Sequence, residues 1–96
     1  MPRVIWTPRA VAGLKSVYCF LADKNGEAAA QAVDAIRKGV NILKQFPNAG
    51  RPANDLEPEH RELLVPFGGS GYVVFYEVLH DTVHVLAVKH QKEAGH

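Results

Sequence analysis

RELLVPFGGSGYVVFYEVLHDTVHVLAVKH, Arg61 to His90, is the stretch whose reading decides the fold. It holds three runs rich in β-branched and aromatic residues, RELLVPF, GYVVFYEVL and TVHVLAVKH, and such runs bounded by turn residues read as strands. GGSG separates the first pair and HD the second, lengths that favour consecutive antiparallel hairpins. Pro66 removes one ladder donor and places the first run near a sheet edge. In the middle run Tyr72, Val74, Tyr76 and Val78 share one face and Val73, Phe75, Glu77 and Leu79 the other. Both faces are largely apolar, which suits a central strand with helices on one side and a partner on the other.

Working back from Arg61, FPNAGRPANDLEPEH (Phe46 to His60) reads as a loop by its three prolines, one glycine and two asparagines. Before it, Ala29, Ala32, Val33, Ile36, Val40 and Leu43 recur at helical spacing. Gly39 within that helix costs about 1 kcal/mol of propensity and points to close packing against a second helix. That other helix has Thr7 as N-cap and Pro8 at its first position. Its apolar positions are Val11, Leu14, Val17, Tyr18 and Leu21, and Asn25 and Gly26 break the chain after DKNGE. RVIW, Arg3 to Trp6, adds an opening strand. The expected order is β-α-α-β-β-β over residues 1–96 as a single domain: an α+β fold with an antiparallel helical hairpin packed on a mainly antiparallel four-stranded sheet.

With 47% apolar and 22% charged residues the composition is that of a globular chain, neither disordered nor fibrous. The N-terminus has no signal-like apolar core and no run approaches the roughly 18 apolar residues of a membrane span. The single cysteine, Cys19, cannot form an internal disulfide, and its apolar surroundings predict a buried thiol in a reducing cytoplasm. The net charge of +1 hides an asymmetry: residues 1–50 carry seven Lys/Arg against three acids, and residues 51–96 four against seven. The half that forms most of the sheet is therefore acidic.

Five patterns, in this order, resemble the RelE/ParE superfamily of toxins from bacterial type II toxin–antitoxin systems. They are WTPRAVAGL at the first helix, FPNAGRP after the second, RELLV, GYVVFYEV and VLAVKHQKE. The resemblance implies growth inhibition and plasmid stabilisation, no cofactor, and a cognate antitoxin held in a toxin–antitoxin hetero-oligomer. It implies one of two targets: DNA gyrase, bound and poisoned as by the ParE branch, or the ribosome and its mRNA, cleaved as by the RelE branch. A degenerate, non-toxic binding module is the third alternative.

An endonuclease forming a 2′,3′-cyclic phosphate needs a base, a cation for the phosphorane and an acid for the leaving oxygen. In the RelE branch basic and aromatic residues fill these roles, and the positions available here are Arg51, Arg61, Tyr76, Lys89 and His90. Arg61 is suited to a bidentate phosphate clamp, and His90, with an ordinary pKa of roughly 6.5, to acid or base work. Each also has a plainer role: Arg61 paired with an acid, Arg51 bonded to loop carbonyls, Tyr76 in the core, His90 capping a strand end. His80, His84 and His96 give no metal site. His84 and His90 share a strand face in this reading, but six residues span about 20 Å of extended chain. The acidic sheet half is poorly suited to gripping RNA, so the expectation is a ParE-like toxin acting on gyrase by contact.

Overall fold

The computed structural model describes residues 3–53 and 57–94; Asp55 of the acidic loop and His96 lie outside them. Chain order is β1 (Arg3–Trp6), α1 (Pro8–Ala22), α2 (Gly26–Ile42), β2 (Arg51–Pro52), β3 (His60–Phe67), β4 (Ser70–Leu79) and β5 (Thr82–His90). The strands form one sheet in the order β1-β5-β4-β3-β2, with β1 parallel to β5 and every other pair antiparallel. The sheet thus has five strands, not four. The extra strand is only Arg51 and Pro52, facing Glu62 and Arg61, and a two-residue strand containing proline leaves no periodicity in sequence.

Local chemistry sets the element ends. Thr7 Oγ1 accepts the Ala10 N–H at 3.3 Å and donates to the Val85 carbonyl at 2.7 Å, so one hydroxyl both caps α1 and ties it to β5. Asn25 Oδ1 accepts from Glu27 and Ala28 at the start of α2. His80 and Asp81 turn the β4–β5 hairpin with φ of 50° and 61°, the left-handed pair that matches strand twist in a two-residue loop. Gly68, at φ 61°, opens the equivalent β3–β4 turn.

The core lies between the helices and one sheet face. Ala32, Ile36 and Val40 of α2 and Ala10 and Val17 of α1 pack on Val65, Tyr72, Val74, Val85 and Val88. Gly39 allows a close approach, but to β3 and not to α1: a Cβ there would sit 3.1 Å from a Val65 methyl. In α1 the inward stripe is Ala10, Leu14, Val17 and Leu21, whereas Val11, Tyr18 and Cys19 are exposed. Cys19 follows Val17 by two residues, about 200° around the helix, so a core position for Val17 turns the thiol outward.

A register shift on β5 changes one further expectation. Tyr76 pairs with Val85 but Phe75 with Ala87, which leaves Leu86 as the extra residue of a bulge. His90, opposite Tyr72, is therefore on the helix side, whereas His84, opposite Glu77, is on the other. The two histidines do not share a face.

Candidate functional site

Tyr76 organises the first group of candidate residues. Its ring is fully buried with Leu43 and Val83, and its hydroxyl donates to the Pro47 carbonyl and accepts the Gly50 N–H, both at 2.8 Å. Gly50 is required there because a Cβ would lie 2.7 Å from the Tyr76 hydroxyl and from the Glu62 carbonyl oxygen. Arg61, opposite Tyr76 on β3, donates through Nη1 to the Gly50 carbonyl at 2.7 Å and, at 3.5 Å, to that of Asn48. The FPNAGR segment is thus wrapped around one phenol and held from outside by one guanidinium.

On the face away from the helices, Arg51 Nε donates to Glu62 Oε1 at 2.7 Å. Glu62 is only 4% exposed, and a carboxylate that buried needs a cation beside it. His60 Nε2 lies 3.3 Å from Glu77 Oε2, and His84 follows Glu77 in the same cross-strand row. His84 Nδ1 is buried with no hydrogen-bond partner among the described residues. Two carboxylates, two histidines and a paired arginine make this face a poor cradle for polyanionic RNA.

His90 ends β5. The Lys92 backbone N–H can only donate, so His90 Nδ1, 3.1 Å away, is the acceptor and the ring proton resides on Nε2. Nε2 then donates to Ser70 Oγ at 3.1 Å, while the ring stands edge-on to Tyr72 with centroids 5.5 Å apart. The His90 N–H donates to Glu93 Oε1 and its carbonyl accepts the Ala94 N–H. The histidine is the hub of the turn that follows β5. Lys89 is in register with Val73 on the opposite face.

Arg61 and Tyr76 are brought together; Arg51 is on the other face, and Lys89 and His90 lie at the far end of the sheet. Beside that end is a cleft of about 810 Å³ between α1 and β5, whose lining includes Arg9, Phe20, Tyr72, Lys89, His90 and Lys92. Ser70, Glu62 and Gly50, the partners that commit the candidate residues, carry no local signal in sequence. The i, i+7, i+11 spacing of Arg9, Ser16 and Phe20 on α1 could have suggested the cleft wall.

Burial pushes the phenol pKa of Tyr72 and Tyr76 above the usual 10; for Tyr76 burial outweighs the downward pull of the Gly50 hydrogen bond and the Arg61 charge. In the unfolded chain both ionise at the ordinary value. Their contribution to stability is complete below pH 10 and is lost as pH rises through the folded-state values. Denaturant titrations at a series of alkaline pH values should show unfolding free energy falling above about pH 10, with the loss reduced in a Tyr72→Phe variant.

Residues 4–95 match the family described as the ParE toxin of the type II toxin–antitoxin system parDE. A toxin of Caulobacter vibrioides named RelE1 is 30% identical over 94% of this chain and 94% of its own length. Another from that organism, RelE3, is 34% identical over 90% of each. Among solved structures, a chain of the chromosomal ParDE system of P. aeruginosa superposes with a TM-score of 0.79 at 28% identity, covering 94% of this chain and 96% of that one. A chain of the RelBE2 toxin–antitoxin complex of Mycobacterium tuberculosis matches in fold, with a TM-score of 0.64 at 20% identity over 95% and 100%. The two helices and the mixed sheet are the fold of these relatives, and the match spans nearly every described residue: the chain belongs to the ParE toxin family of type II toxin–antitoxin systems.

Proposed function

We propose that this toxin inhibits growth by binding DNA gyrase through protein contact, and that a cognate antitoxin neutralises it in a hetero-oligomer. The observation that carries the choice of target is the commitment of the would-be catalytic groups to the fold. Arg61 holds loop carbonyls, Arg51 neutralises a buried Glu62, and His90 has both ring nitrogens engaged with Ser70 and Lys92. No two of Arg61, His90 and Arg51 converge on a space where a phosphate could meet a base and a cation together. A gyrase poison needs no such assembly, since the strand-cleaving chemistry belongs to the gyrase.

The RelE names of two relatives favour the alternative, a ribosome-dependent mRNA endonuclease in which Arg61 and His90 act on the phosphate and Arg51, Tyr76 and Lys89 support them. Antitoxin-free protein separates the two. Added to gyrase and plasmid DNA, it is expected to stop supercoiling and accumulate cleaved DNA; added to a translating extract, it is expected to leave mRNA intact by primer extension. Codon-positioned cleavages that require the ribosome would overturn the gyrase assignment.

A further inference from the structure

The cleft between α1 and the end of β5 combines three features. Its interior is apolar, with Val17, Tyr72, Ala87 and Val88 among the lining residues, and Phe20 beside it is 66% exposed. Its lining includes Arg9, Lys89 and Lys92 against a single carboxylate, Glu93, whose Oε1 already accepts the His90 N–H. Lys24 stands over the Phe20 ring, 4.7 Å from its centroid. Helix α1 itself contains no Asp or Glu. Among the described residues, the ion pairs within 4 Å are elsewhere, at Asp34–Lys38, Arg51–Glu62 and His60–Glu77. Positive charge without a carboxylate partner is therefore gathered around an apolar slot, while the cation on the opposite sheet face is neutralised.

We infer that this cleft is the docking site for an acidic segment of the antitoxin, one that inserts a large apolar side chain beside Phe20 and Val17 and sets carboxylates against Arg9 and Lys92. The inference rests on the reading that a protein antitoxin binds this toxin. Charge complementarity selects the occupant. A second copy of the chain would bring the same cations against each other. A nucleic acid would meet the cations but find little to stack on, because Tyr72 is 6% exposed and edge-on to His90 and one face of Phe20 is covered by Lys24. A peptide with an apolar anchor and flanking carboxylates satisfies both floor and rim.

The test uses the purified toxin–antitoxin complex, with the photo-crosslinker p-benzoylphenylalanine at position 20 or, as control, at Phe46, which is 61% exposed outside the cleft. Crosslinking at 20 and not at 46, mapping to an antitoxin segment of net negative charge, is expected. Arg9→Glu with Lys92→Glu, both at exposed positions, should weaken the complex by about tenfold or more at moderate salt without changing the melting of the free toxin. A complex that forms normally yet shows no crosslink at 20, or whose affinity is within about twofold after the double reversal, would overturn the inference and leave the functional reading standing. A crosslink at 20 to a basic segment, or displacement of the antitoxin by a single-stranded oligonucleotide, would overturn the choice of occupant. Failure of the unaltered toxin to bind any antitoxin would remove the functional reading itself.

Discussion

Tyr76→Ala is expected to lose about 3–5 kcal/mol of unfolding free energy, and Tyr76→Phe about 1–3 kcal/mol. The alanine leaves a ring-sized void between Leu43 and Val83 and strips the Pro47–Gly50 segment of its anchor. The phenylalanine keeps the packing and removes one oxygen, but that oxygen serves two backbone groups, the Pro47 carbonyl and the Gly50 N–H, and either one left buried and unbonded costs its full desolvation. A domain of this size has roughly 5–14 kcal/mol in total, so the alanine variant forfeits a large share of its stability. Urea titration of both variants measures the effect. Arg61→Ala supplies a comparison, since the same segment then loses only an outer hydrogen bond at its Gly50 carbonyl, and its loss should be smaller than that of Tyr76→Phe. If Tyr76→Phe melts like the parent, the phenol is not what orders FPNAGR, and Arg61 becomes available for another role.

The same knot shows what sequence carries and what it leaves out. The three long strands are legible from Arg61 to His90 because β-branched and aromatic residues repeat between short turns, and HD and GG close the hairpins as their lengths require. The helices are legible from Thr7-Pro8 and Asn25-Gly26, whose capping chemistry is local. Strand β2 is not, because two residues have no period. The bulge at Leu86 is not, because it depends on Thr7 drawing the Val85 carbonyl toward α1. The candidate site suffers most. Arg51, Arg61, Tyr76 and His90 have the right chemistry for phosphate cleavage as residue types, but what each does is decided by a partner 11 to 29 residues away in the chain. A guanidinium facing a glycine carbonyl and a guanidinium awaiting a phosphate look the same in one dimension.

Gly13→Ala is expected to destabilise the toxin by about 1–2 kcal/mol even though alanine is the better helix former by about 1 kcal/mol. The new Cβ would lie 2.6 Å from the Val88 carbonyl oxygen and 3.3 Å from its nitrogen, and both are backbone atoms. β5 cannot retreat, because Val88 is paired to Val74 of β4 on its other side. The relief must come from α1, whose start is fixed to Val85 through Thr7, so the helix pivots outward and the α1–β5 cleft changes width. Gly26→Ala is the internal control. It places the same methyl at the first position of α2 with nothing within 4 Å, so only the propensity gain remains and stability should hold or rise by up to about 1 kcal/mol. Thermal melts of the two variants should therefore move in opposite directions. If the cleft receives the antitoxin, Gly13→Ala should also weaken the complex where Gly26→Ala does not. A Gly13→Ala protein that melts at or above the parent temperature would mean that α1 is not braced on the β5 backbone and that the cleft has no fixed wall.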